Sequence, residues 1–103
     1  MTIFEELYKI IAERDKNPVE GSYTNMLLTK GLDKIAKKFG EEAIETVIAA
    51  KNENKEEFIG EVADLEYHLM VLLYKKGITI NDIAQELEKR FGKGGYHGRA
   101  KSQ

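Results

Sequence analysis

The chain has 103 residues, a length typical of one domain, and its 42% hydrophobic and 33% charged residues are typical of a folded protein. It contains no cysteine, which excludes a disulfide framework, a thiolate nucleophile and cysteine metal ligands. The formal net charge of -2 gives no support for a broad nucleic-acid-binding surface, so we expect no nucleic-acid partner.

The amino-terminal residues do not resemble an export signal. Glu5 and Glu6 lie where a signal peptide carries positive charge. The longest apolar run, residues 69–74, is much shorter than the ~20 residues needed to cross a bilayer. We therefore expect a cytoplasmic protein with no membrane partner.

Apolar residues at helical spacing predict four long helices and no strands. The first helix covers about residues 2–15 and ends before Asn17 and Pro18, because the residue that precedes a proline is disfavoured in a helix. Residues 17–23 then form a loop, and residues 24–29 could form a short helical turn that Gly31 ends.

The second long helix covers about residues 32–51. Gly40 lies inside it at a cost of about 1 kcal/mol relative to alanine, from which we expect close packing at that position. The apolar stripe of this helix consists of Leu32, Ile35, Ala36, Phe39, Ala43, Val47 and Ala50.

The third helix covers about residues 55–75 and is apolar nearly all round over residues 69–73. We expect that stretch to be the most buried segment or to lie partly in an oligomer interface. The last helix begins at the capping pair Thr79 and Asp82 and ends at Gly92. These elements predict an all-α, four-helix-bundle-like domain over residues 1–92, which a homodimer would complete, and a flexible, basic, glycine-rich tail over residues 93–103.

Two acidic pairs mark the second and third helices. Glu42 and Glu45 are spaced i, i+3 on one, and Glu61 and Asp64 have the same spacing on the next. Both pairs border the apolar stripes, so antiparallel packing would bring four carboxylates together across the seam. Carboxylates that converge in this way repel one another unless a hard cation lies between them, and Mg²⁺ or Mn²⁺ prefers such oxygen ligands.

The alternative interpretation is an ordinary solvated acidic face. Glu41 and Glu45 are like charges at i, i+4, which destabilise a helix by a few tenths of a kcal/mol. No lysine at i+4 compensates Glu41, Glu42 or Glu45. A local rule that is broken without compensation is typical of a functional site, so we favour the metal site.

A di-iron carboxylate centre requires Glu-x-x-His pairs, and the sequence has Asp64 three residues after Glu61. His68 follows Asp64 by four residues, and we predict that it is a seam residue hydrogen-bonded to a neighbour rather than a metal ligand. His97 falls in the tail, where we expect it to be solvated.

Phosphate binding would need other groups, because the chain has no P-loop motif. Lys34 and Lys38 share the acidic edge of the second helix and are candidates for substrate binding, although Lys38 could instead pair with Glu42. Ser22, Tyr23 and Thr24 offer hydroxyl groups in the preceding loop, and of these Ser22 and Thr24 are the candidates for substrate binding.

These motifs resemble the phosphoribosyl-ATP pyrophosphohydrolase family of histidine biosynthesis. The acidic signature alone is shared with the wider all-α nucleoside triphosphate pyrophosphohydrolase superfamily, which includes MazG-like and dimeric dUTPase-like enzymes. The segments that carry the narrower resemblance are Ser22-Tyr23-Thr24, Lys30-Gly31-Leu32-Asp33-Lys34-Ile35, Lys38-Phe39-Gly40-Glu41-Glu42-Ala43-x-Glu45 and Glu61-x-x-Asp64-Leu65-x-Tyr67-His68.

The resemblance implies a homodimer that uses Mg²⁺ to hydrolyse phosphoribosyl-ATP to phosphoribosyl-AMP and pyrophosphate. By motif position, Glu42, Glu45, Glu61 and Asp64 would be the metal ligands and Glu41 an accessory acid. A carboxylate that is not fully used in coordination can take the proton of the attacking water, and Glu41 and Glu45 are both candidates for that role. Two alternatives remain: a MazG-like enzyme acting on free nucleoside triphosphates, and a non-enzymatic helical dimerisation module.

Overall fold

Five helices make up nearly all of the computed structural model, which describes residues 2–92 and 95–96. The predicted all-α class is therefore confirmed. Two strands of two residues each, which the sequence did not predict, pair antiparallel after the last helix with Phe91 opposite Tyr96. The elements are α1 (Ile3–Lys16), α2 (Tyr23–Lys30), α3 (Leu32–Ala50), α4 (Lys55–Lys75), α5 (Ile80–Lys89), β1 (Phe91–Gly92) and β2 (Gly95–Tyr96).

Side-chain caps set where the helices begin. Thr79 starts α5 as predicted, because its side chain accepts a hydrogen bond from the Asp82 backbone and the Asp82 side chain accepts one in return. Ser22 caps α2 by accepting from the backbone N–H of Asn25. The short turn expected at residues 24–29 is consequently an eight-residue helix, and Leu27 is one of the core side chains that hold it in place.

The core lies where α1, α2, α3 and α4 meet. Its fully buried members are Ile11, Leu27, Ile35, Met70 and Val71. The expected burial of residues 69–73 is confirmed, since this stretch supplies two of those residues and all its other side chains are at least half-buried. One chain therefore buries this segment by itself, and the segment gives no separate argument for a partner.

The buried face of α3 differs from the predicted stripe. Its buried residues are Ile35, Glu42 and Ala49, whereas Val47 is 57% exposed and Ala50 is exposed. Apolar residues occur on two sides of this helix, and the predicted stripe placed Glu42 at its edge rather than on the buried face. Packing against α4 instead places Glu42 inside the seam.

The close packing expected at Gly40 is not found inside the described chain. A Cβ atom added at this position meets no atom of the described chain within 4 Å, so close packing inside the chain does not explain the glycine. α5 is loosely held, because none of its residues is buried and Leu87 on its apolar side remains 42% exposed. In the predicted tail, Gly95 and Tyr96 form β2, and the remaining tail residues lie outside the described part of the chain.

Within residues 2–92 and 95–96, none of the helices has the length and apolar character needed to cross a membrane.

Candidate active site

Three carboxylates converge between α3 and α4. Glu42 and Glu45 come from α3 and Glu61 from α4, and one oxygen of each lies within 4.8 Å of the others. The helices form an antiparallel pair joined by a short turn at residues 51–54, so the i, i+3 acids of one face the first acid of the other. Asp64, the fourth predicted ligand, lies outside this trio and is exposed.

The trio runs from the buried Glu42 through the partly buried Glu61 to the exposed Glu45, and two of its oxygens lack a hydrogen-bond donor. Glu42 is only 8% exposed, and the Oε2 atoms of Glu42 and Glu61 are both buried without a hydrogen-bond partner among the described residues. A buried carboxylate oxygen without a donor costs free energy, and native proteins rarely leave such atoms unpaired. The cluster therefore offers carboxylate oxygens, two of them unpaired, that could bind a metal ion.

The electrostatics of the trio point the same way. Burial is the largest cause that raises the pKa of Glu42 to about 7, with added effects from the hydrogen bond and charge of Glu45 and the charge of Asp64, and the charge of Lys38 opposes the shift. Burial likewise raises the pKa of Glu61, and the neighbouring negative charges add to that effect. Both shifts show that negative charge is unfavourable in this space unless a cation balances it.

A threonine that the sequence reasoning missed ties the two helices together beside the acids. Thr46 Oγ1 donates to the Glu42 carbonyl at 2.8 Å and lies 3.3 Å from the Glu61 carbonyl on α4. The only signal for it was its position one turn after Glu42. By bridging the helices it fixes the separation of the acidic side chains.

Lys38 lies at the outer edge of the acids. Its Nζ is 3.4 Å from Glu41 and 3.9 Å from Glu42, so the expected i, i+4 pair forms but at the limit of an ion pair. The hydrogen bond with Glu41 is the main reason that the pKa of Lys38 is raised. Lys38, Glu41 and Glu45 also line an open cavity of about 440 Å³, so the ammonium faces space where an anionic group could lie.

The other predicted substrate-binding residues have mixed surroundings. Ser22 Oγ is occupied as the cap of α2, and the Thr24 hydroxyl makes a hydrogen bond with the hydroxyl of Tyr67. Lys34 is half-buried and forms no ion pair within the described residues. Their roles toward a substrate stay predictions.

His68 is a hydrogen-bonded seam residue, as predicted. It is 5% exposed, its Nδ1 lies 2.7 Å from the backbone oxygen of Asp64, and its Nε2 lies 2.8 Å from Tyr23 Oη. Tyr23 was not among the predicted site residues, although it lies in the middle of the Ser-Tyr-Thr motif. His97 lies outside the described residues.

Comparison with known proteins identifies the family. The family model described as phosphoribosyl-ATP pyrophosphohydrolase matches residues 4–91, which is most of the chain and includes every site residue discussed above. The chain belongs to this family. The resemblance seen in the acidic and Ser-Tyr-Thr motifs is thereby confirmed.

Several relatives bear names that agree with the family. The chain is 56% identical over 88 residues to the phosphoribosyl-ATP pyrophosphatase of Clostridium botulinum strain Hall, covering 85% of this chain and 80% of the relative. It is 58% identical over 92 residues to the protein of the same name from Limosilactobacillus fermentum, covering 89% and 87%.

A bifunctional relative is longer. The chain is 62% identical over 91 residues to the histidine biosynthesis bifunctional protein HisIE of Caldanaerobacter subterraneus subsp. tengcongensis. That match covers 88% of this chain but only 44% of the relative, so the chain spans less than half of that protein's length.

Proposed function

We propose that this chain hydrolyses phosphoribosyl-ATP to phosphoribosyl-AMP and pyrophosphate in histidine biosynthesis. Membership of the family and the names of its relatives support this activity. The single structural observation that carries the proposal is the convergence of Glu42, Glu45 and Glu61, two of which have an unpaired buried oxygen. A cluster of this kind suits the handling of a polyphosphate through a divalent cation.

The metal would be Mg²⁺, with Mn²⁺ as a substitute, held by Glu42, Glu45 and Glu61 with Asp64 at the edge of the cluster. The all-oxygen donor set fits a hard cation, and the raised pKa of Glu42 and of Glu61 is what a site built for positive charge would show in its absence. When bound, such an ion offsets the charge that develops on the pyrophosphate leaving group and lowers the pKa of water.

The chain's own residues would bind the phosphates and move the proton. Hydrolysis adds water to the α-phosphorus and breaks its bond to the bridging oxygen, so one carboxylate must accept the proton of that water. Glu41 lies outside the trio and Glu45 within it, and both stay candidates for the base. Lys38 would hold a phosphate oxygen at the open cavity, with Ser22, Thr24 and Lys34 on the substrate side.

A homodimer is the second part of the proposal. The face of α3 opposite Glu42 carries Ile44, Val47 and Ile48, which are 63%, 57% and 58% exposed. Gly40 lies on the same face with open space around it. A small, apolar helix surface of this kind suits close packing of another helix, and the occupant we propose is the same face of a second copy. A cytoplasmic location also stays a prediction.

One assay tests the activity. Purified protein is incubated with phosphoribosyl-ATP, ATP or dUTP in Mg²⁺, and pyrophosphate release is followed. We expect kcat/KM for phosphoribosyl-ATP to exceed that for the other two by a large factor. Glu61→Gln should remove most of the activity because it removes a charged ligand, whereas Glu57→Gln, an exposed acid one turn earlier on α4, should leave it nearly unchanged.

The outcomes separate the alternatives. Equal hydrolysis of ATP or dUTP would replace this proposal with the MazG-like one. No pyrophosphate release from any of the three nucleotides would favour the non-enzymatic dimerisation module. Full activity in Glu61→Gln at saturating Mg²⁺ would refute the assignment of the acidic trio.

A further inference from the structure

Tyr23, on α2, is hydrogen-bonded to His68, which lies on the same edge of α4 as the acidic site residues. It begins α2, and its hydroxyl reaches Nε2 of His68 on α4 at 2.8 Å. His68 follows Glu61 by seven residues and Asp64 by four, so all three lie along one edge of α4. At 1.5 Å per residue, His68 lies about 10 Å along the helix axis from Glu61. The phenol therefore lies next to the carboxylates rather than among them.

The surroundings of Tyr23 hold its ring in one orientation. Its ring centroid is 5.7 Å from that of His68 and 6.1 Å from that of Tyr67, while Tyr67 and His68 meet edge to face at 5.0 Å. The hydrogen bond between Thr24 and Tyr67 fixes the third ring. Tyr23 is nevertheless 44% exposed, so a restrained aromatic side chain borders solvent at the edge of the site, with its hydroxyl bond to His68 partly buried.

Tyr23 also lies within electrostatic reach of the acidic cluster. Burial raises its pKa, the charge of Lys38 lowers it, and the charges of Glu42 and Glu41 raise it. Lys38, whose Nζ lies near Glu41 and Glu42, is therefore close enough to act on the phenol as well.

The hydrogen bonds decide which kind of group this oxygen can bind. The Asp64 backbone oxygen can only accept, so Nδ1 of His68 must carry a proton. In the neutral imidazole Nε2 is then an acceptor, and the Tyr23 hydroxyl donates its only proton to it. The lone pairs of Tyr23 that remain can only accept. Their partner must be a hydroxyl or an amine, and not a phosphate oxygen.

We propose that Tyr23 contacts the substrate by accepting a hydrogen bond from a hydroxyl of the ribose that carries the triphosphate, and that His68 positions Tyr23 for this contact. The ribose is attached directly to the α-phosphate at which the chain would cut, and its 2′- and 3′-hydroxyls are the nearest donors to the reacting phosphorus. This inference rests on the proposed function, because Tyr23 would contact the ribose of the same substrate.

The test compares Tyr23→Phe with wild type on phosphoribosyl-ATP and on its 2′-deoxy and 3′-deoxy analogues, modified in the ribose that carries the triphosphate. Loss of one uncharged hydrogen bond should lower kcat/KM of the variant about 3- to 10-fold on the parent substrate, mainly through KM. Wild type should lose a similar factor on the analogue that lacks the contacted hydroxyl, and Tyr23→Phe should lose nothing further on that analogue.

Tyr74→Phe is the matched control. It removes a hydroxyl on α4 that donates to Asp15, and it should leave all three kcat/KM values unchanged. Mn²⁺ binding by Tyr23→Phe should also match wild type, since the phenol is not a metal ligand.

His68 is tested as a positioning residue. His68→Gln keeps an acceptor for Tyr23 and should retain more activity than His68→Leu. In the Tyr23→Phe background, His68→Leu should cause no further loss of kcat/KM, because its effect passes through Tyr23. If His68 had a purely structural role, His68→Leu would lower the thermal midpoint. It would also lower kcat/KM by the same factor in wild type and in Tyr23→Phe.

The failures are distinguishable. Wild type that releases no pyrophosphate from phosphoribosyl-ATP overturns the proposed function, and this inference with it. Wild type that is active while Tyr23→Phe matches it on all three substrates overturns the inference alone. Equal further losses of wild type and Tyr23→Phe on both deoxy analogues would also overturn it.

Discussion

At the residue scale, Glu42 lowers the stability of the fold because the site requires a carboxylate in a buried position. Its neighbours on the buried face of α3 are Ile35 and Ala49, one heptad away on each side, and an apolar side chain at position 42 would continue that face. The carboxylate instead occupies the seam with one oxygen unpaired. Buried ionisable groups of this kind lower stability and are typical of functional sites.

The raised pKa of Glu42 predicts how stability depends on pH without divalent cations. Its folded pKa of about 7 lies above the ordinary value of 4.5, so the native state keeps the proton to higher pH than the unfolded state. The stability that protonated Glu42 contributes is fully present below pH 4.5 and is lost as the pH rises to about 7. In EDTA, the thermal midpoint of wild type should therefore fall over this range.

Glu42→Gln should show a smaller fall and, at pH 7.5 in EDTA, should be more stable than wild type by about 1–3 kcal/mol. Saturating Mn²⁺ should raise the midpoint of wild type and have little effect on the variant. Glu53→Gln, at an exposed position in the turn between α3 and α4, is the control and should follow wild type. Identical pH profiles for wild type and Glu42→Gln would contradict this prediction.

At the element scale, one asparagine adds hydrogen bonds to the apolar packing that holds α2 near α1. Asn25 Oδ1 accepts from the backbone N–H of Val19 at 2.8 Å, and its Nδ2 donates to the Arg14 carbonyl at 2.7 Å. Arg14 is in the last turn of α1, where backbone carbonyls have no helical partner. The side chain thus satisfies the end of α1 and fixes the loop that leads to Ser22 and Tyr23.

Asn25→Ala should lower the free energy of unfolding by about 1–3 kcal/mol, because the Arg14 carbonyl loses its partner in a partly buried position and the exposed Val19 N–H loses its partner as well. Urea unfolding measures the loss. Asn17→Ala is the control, since the Asn17 side chain bonds only to the exposed Glu13 side chain, and its effect should stay within about 0.5 kcal/mol. Equal losses in the two variants would show that the Asn25 hydrogen bonds do not help to hold α2.

At the scale of the whole molecule, the chain buries few apolar side chains and leaves many of the others exposed to solvent. The buried apolar core of the described chain is small, and side chains such as Ile44, Ile48 and Ile59 are each more than half exposed. Between α1 and α4 an apolar groove of about 480 Å³ adds to this surface. A domain of this size gains much of its stability from any further surface that it buries, which favours a second copy.

Ile44→Glu should convert the proposed dimer to a monomer at micromolar concentration, as measured by sedimentation velocity. A charge introduced at a packed apolar contact should weaken association by at least about 2 kcal/mol, or some 30-fold in Kd. Ile10→Glu is the control: Ile10 is 54% exposed but lies on α1, away from the outward face of α3, and the variant should sediment like wild type. A monomeric wild type would contradict the proposal.

Local chemistry determined much of the fold before any packing was known. Thr79 and Asp82 predicted the start of α5, Pro18 predicted the end of α1 to within about a turn, and the bounds of α4 followed from its apolar period. Because i, i+3 residues share a side of a helix, spacing together with an assumed antiparallel packing predicted that Glu42 and Glu45 meet Glu61, although it also included Asp64, which lies outside the trio.

Tertiary structure decided what spacing could not. α3 has apolar residues on two sides, so only its contact with α4 determined that Ile35, Glu42 and Ala49 face inward while Val47 faces out. Tyr23 and His68, which are hydrogen-bonded to each other, lie 45 residues apart in the chain. No local sequence pattern carries information over that distance. Helix formation depends on near neighbours, whereas the choice of buried face and the partner of each polar atom depend on which helices meet.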